Sequence, residues 1–86
     1  DVSDETFTIS ATAMDVAATV NTGFIKVESD IGLTGTIAGT GATIITSGDP
    51  AAGEIKIDYN SGALTFHADD VGSTAVISYR WLERPE

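Results

Sequence analysis

His67 is the only histidine in the chain, and any acid–base or nucleophilic chemistry would begin there. A nucleophile relay needs an imidazole beside a hydroxyl, with a buried acid behind it. Asp69 and Asp70 follow closely, but they fall in a turn at 69–72, and alternation puts His67 on the polar face of the strand before it. Paired-carboxylate chemistry would draw on Asp69 with Asp70, or on Glu54 with Asp58. Such pairs work in a cleft that drives their pKa values apart. Asp69 and Asp70 also suit a hard cation such as calcium, yet the spaced D-x-D-x-D-G loop is missing. The glycines of residues 32–41 lack the strand–loop–helix setting and the Lys-Ser/Thr of a phosphate cradle. Tyr59, Tyr79 and Trp81 are the aromatics from which a sugar-stacking platform would be built. On an amphipathic strand, aromatics belong more often to a core or an interface. The expectation is therefore no catalytic residue, no metal site and no cofactor.

The elements that must position these residues are strands. Twelve threonines, nine glycines and many Val and Ile favour pleated surfaces and turns over helices. Strands are expected at 6–11, 13–20, 24–29, 33–38, 42–46, 53–58, 63–67 and 74–82. The second of these also reads as a short helix, with Met14, Ala17 and Ala18 on one side. Turn residues punctuate the chain at 21–23, 30–32, 39–41, 48–53, 60–62 and 69–72. Pro50 and Pro85 lie between or beyond the strands, where a missing N–H costs no ladder bond. The spacing predicts an all-β fold, a small antiparallel β-sandwich or β-barrel forming one domain over 1–86. Part of the low-diversity stretch 32–48 is expected to be a mobile loop or a sheet edge.

Residues 53–66, G-E-I-K-I-D-Y-N-S-G-A-L-T-F, constrain a hairpin. Ile55 and Ile57 must face the same core as Leu64 and Phe66, so the register has to place Ile57 opposite Leu64 and Ile55 opposite Phe66. A four-residue loop, 59–62, satisfies this with Gly62 in the left-handed conformation that closes it. The last strand carries Ala75, Ile77, Tyr79 and Trp81 on one face. The 69–72 turn is expected to fold it back on 63–67, completing a C-terminal three-strand meander.

At 86 residues the chain buries only about 60% of its unfolded surface, and eleven of its hydrophobic residues are alanine. With no cysteine to staple it, oligomerisation is the device left open for reinforcing a thin core. The net charge is −9, with Lys26, Lys56, Arg80 and Arg84 as the only basic side chains. Four scattered cations cannot displace counterions from nucleic acid or hold an anionic membrane surface. No apolar run approaches the roughly 20 residues of a membrane span. The opening at Asp1 rather than Met is what a processed or trimmed product would show.

Residues 53–79 resemble a pattern of tailed-bacteriophage virion structural proteins: a strand, an Asp-Tyr-x-x-Gly turn (Asp58 to Gly62), a second strand, an Ala-Asp-x-Gly-type turn and a strand ending in Tyr79. The resemblance covers about a third of the chain. It implies a capsid decoration (cement) protein on the virion surface, one that bridges shell subunits without catalysis. It also implies a homo-oligomer, with a trimer favoured, and a capsid or other virion protein as partner. A head–tail joining or tail component is similar enough to stand beside it. The alternative from the residues alone is a secreted or cell-surface β-sandwich binding module, with carbohydrate as one candidate ligand. Leu33, Ile37, Ile44, Ile45 and Trp81 are the interface candidates, and residues 39–48 with the segment before Phe7 are expected to make most partner contacts.

Overall fold

The computed structural model describes residues 2–16, 25–30 and 32–83. The end of the strand expected at 13–20, the turn at 21–23, the start of the strand at 24–29 and Pro85 lie outside the described residues. Among the described residues ten strands follow in chain order: β1 (Val2–Thr8), β2 (Ala13–Asp15), β3 (Ile25–Val27), β4 (Thr34–Ile37), β5 (Thr40–Gly41), β6 (Thr43–Ile45), β7 (Glu54–Asp58), β8 (Ala63–Phe66), β9 (Thr74–Tyr79) and β10 (Trp81–Glu83). One four-stranded sheet has the order β1-β9-β4-β5 and the other β2-β8-β7-β6, while β10 and β3 form a separate pair. The fold is all-β and fits a sandwich.

Cross-strand register lines up the core. In one sheet Ile44, Ile55 and Phe66 stand opposite one another in a row, as do Ile57, Leu64 and Met14. In the other, Phe7, Ala75 and Ile37 form a row. The two layers meet where Phe7 touches Phe66 edge-to-face, ring centroids 6.1 Å apart. Ile9, Val16, Val27, Ile55 and Ile77 are fully enclosed between them. Such rows are how period-two alternation becomes buried area.

The hairpin of β7 and β8 has the expected register, Ile57 opposite Leu64 and Ile55 opposite Phe66. Asp58 pairs with Ala63, so the loop holds four residues, and Gly62 has φ +77°. Asp58 Oδ1 accepts from the Asn60 N–H at 2.9 Å, which stiffens the turn.

The expected meander is corrected. β9 does not return to β8; it lies between β1 and β4 in the opposite sheet. β2 already occupies the other side of β8. After Phe66 the chain makes a single 3₁₀ turn at Ala68–Asp70 and crosses the sandwich. Reciprocal bonds from Ile9 N–H to Ser73 O and from Gly72 N–H to Ile9 O tie the crossing to the end of β1. Placed there, the Ala75, Ile77 and Tyr79 face covers the Ile55 and Phe66 face from above. In a meander it would have extended that face and left it uncovered.

The expected strand 74–82 breaks at Arg80. Its continuation, β10, pairs with β3, and the Glu28 N–H donates to Arg80 O at 2.8 Å. Stretch 32–48 supplies two sheet edges, since β5 ends one sheet and β6 ends the other. β6 runs parallel to β7, an exception in an otherwise antiparallel pair of sheets.

Candidate functional site

The polar residues singled out for chemistry are built into turns and ties. His67 caps the 3₁₀ turn, its Nδ1 accepting the Asp69 N–H at 3.0 Å. Asp69 Oδ2 lies 3.6 Å from the same nitrogen, on a side chain that is 79% exposed. Asp70 Oδ2 accepts the Gly53 N–H at 2.9 Å, fastening the crossing turn to the entry of β7. Glu54 Oε1 closes a small ring with the Ala51 N–H at 2.7 Å, and Glu54 N–H returns to Ala51 O. No three His, Cys, Asp or Glu side chains among the described residues stand close enough together to share a metal ion.

The aromatics do not form an exposed platform. Tyr79 is buried and its hydroxyl donates to Glu5 across from β9 to β1. Tyr59 packs against the core, and its hydroxyl accepts the Leu33 N–H at 3.1 Å. Trp81 also packs partly against the core, next to Val27 in the β10–β3 pair. A sugar-stacking platform would need these rings clear of the core, whereas they belong to it or pack against it, as aromatics on an amphipathic strand more often do.

Among the interface candidates, Leu33 and Ile37 are only 3% and 6% exposed and belong to the chain's own core. Their alternation with Thr34 and Thr36 turns them inward on β4. A docking role for either would require opening the sandwich. Ile44 and Trp81 are half-buried against the same core, and Ile45 is half-buried on the opposite side of β6. These three remain at the surface.

The segment before Phe7 forms most of β1. It carries a β-bulge in which Ser3 and Asp4 face the single residue Ser78, between the pairs Val2–Tyr79 and Glu5–Ile77. Asp4 takes φ +56°, and its N–H donates to Ser78 Oγ at 3.0 Å. A shallow groove of about 180 Å³ lies over the end of β9, with Val2 and Ser3 on one bank and Gly32 and Thr34 on the other. Its cation, Arg80, is paired to Glu28, Nε to Oε2 at 3.1 Å.

Sequence reasoning missed the Glu5–Tyr79 and Asp70–Gly53 ties. The first left a trace: Glu5 shares the inward parity of Phe7 and Ile9, a place where an acid needs a donor. The second left none, because it joins two turns whose meeting depends on the crossing.

Comparison with protein-family models, with curated proteins and with solved structures finds no match for this chain.

Proposed function

We propose that the chain is a structural component of a tailed-phage virion, a decoration protein that binds the outer surface of a capsid and joins neighbouring shell subunits without catalysing a reaction. The observation that supports this reading is the use made of the polar residues in the 53–79 motif. Tyr59, Asp70 and Tyr79 each hold one part of the sandwich to another, and Asp58 stiffens the turn between β7 and β8. The residues that carry the likeness to virion proteins are thereby occupied in building a rigid platform. What such a platform offers a partner is its outer surface and strand edges, where main-chain groups can add a strand.

The test is co-sedimentation of the purified chain with empty, expanded heads assembled without it. Saturable binding at a fixed ratio to the shell subunit, with heads that then resist heat better, is the expected result. Absence of binding at any concentration would remove the proposal. Titration of Trp81 fluorescence with simple sugars runs alongside, and a saturable shift there would favour the carbohydrate module.

A further inference from the structure

Four strands end the two larger sheets: β1 and β2 on one flank, β5 and β6 on the other. The flanks are built differently. Exposed sheet edges invite a further strand, and natural proteins blunt them with bulges, charges or proline. β1 has a bulge at Ser3 and Asp4 and carries the acids Asp4 and Glu5, and β2 ends on exposed Asp15. The opposite flank has none of these devices. β5 and β6 are separated only by Ala42, so residues 40–45, T-G-A-T-I-I, edge both sheets in one continuous stretch. They contain no proline, and residues 31–48 contain no charged side chain.

Backbone orientation shows what this flank presents. The Thr43 N–H points inward to Gly53 O at 3.2 Å. Alternation then turns the N–H and C=O of Ile44 away from β7, towards a side where no strand lies among the described residues. Charge selects the occupant. Each molecule carries −9, so two copies repel wherever their acidic surfaces approach. The uncharged flank is where identical chains can meet at least electrostatic cost.

We propose that the edge formed by residues 40–45 is a self-association surface, on which β6 pairs antiparallel with β6 of a second copy about a two-fold axis. The inference deepens the shell-protein reading by naming its self-contact, and it departs from the trimer that the resemblance implies. The Ile44 main chain supplies the donor and acceptor at the centre of the contact, and a two-fold arrangement keeps the acidic β1–β2 flanks apart.

Light scattering on the full chain over a range of concentrations, with amide hydrogen exchange read at Ile44, tests it. A dimer that dissociates on dilution is expected, with Ile44 exchange slowing as concentration rises. Thr43 is exposed, so Thr43→Lys should keep the fold by circular dichroism while weakening the dimer roughly tenfold, because each lysine would stand opposite Ile45 of the second copy and diagonally across from the second lysine. Thr8→Lys makes the same charge change on the opposite flank and should leave the dimer intact. A monomer throughout with Ile44 exchange independent of concentration, a dimer indifferent to Thr43→Lys, or a trimer would each overturn the proposal. Dimers that fail to bind heads would sink the shell reading alone, and monomers that bind heads would sink this one alone.

Discussion

Gly35 is the position where a single atom decides the packing. It stands opposite Ile77 on the inward side of β4, between Leu33 and Ile37. A Cβ there would come within 2.7 Å of Val76 O and 2.9 Å of Ile77 Cγ2. The first of these is backbone and cannot swing aside. Gly35→Ala is therefore expected to cost about 1–3 kcal/mol, the usual penalty of overpacking. Urea unfolding would report it as a lower midpoint with an unchanged slope. Alternation of residue types made the partners of such positions readable. Ile55 and Phe66 could be set opposite each other because one residue of slip would turn both out of the core. Gly35 itself carried no signal, since a glycine among threonines reads equally well as flexibility.

At the scale of elements, the tight connection of β4 to β5 holds a visible imperfection. Ile37 pairs with Thr40, leaving Ala38 and Gly39 as a two-residue turn with φ +51° and +81°. Both values are those of a type I′ hairpin, which favours Asn-Gly. Alanine has no side-chain amide to offset its crowding in the left-handed region. Ala38→Asn should raise stability by about 0.5–1 kcal/mol, seen in thermal melts as a rise of about 2–8 °C for a chain of this size. The same scale separates what the sequence made legible from what it did not. The β7–β8 hairpin was readable because its loop, register and apolar rows lie within fourteen consecutive residues. The sheet to which β9 belongs was not, because a period-two pattern tells which face is buried and is silent on which neighbour supplies the ladder. Both the meander and the observed crossing put Ala75, Ile77 and Tyr79 on one face of β9. The ladders of β9 with β1 and β4, and the ties from Ile9 to the crossing, distinguish them. Likewise Leu33 and Ile37 look the same in sequence whether they dock on a partner or close their own core.

For the whole molecule, charge and thinness act together. A net charge of −9 on a core closed, among the described residues, by twelve buried hydrophobic side chains leaves self-repulsion as a sizeable opposing term. Screening should relieve it. The melting temperature is expected to rise by a few degrees between roughly 0.01 M and 0.15 M salt, where the Debye length shrinks from about 30 Å to about 8 Å. A melting temperature that falls over this range would show that attractive charge pairs such as Arg80–Glu28 outweigh the repulsion. The pairing of β1 with β9 has a further consequence, for the order of events during synthesis. Thr8 meets Thr74 and Val2 meets Tyr79, so β1 waits for a strand made much later. While the chain is still growing, Phe7 and Ile9 have no sheet to join, whereas the β7–β8 hairpin can close as soon as it emerges. Such distant pairing makes for slow folding. A nascent chain halted before residue 74 would therefore present an unfinished apolar layer to whatever surrounds it, and the sandwich closes only once β9 slides between β1 and β4.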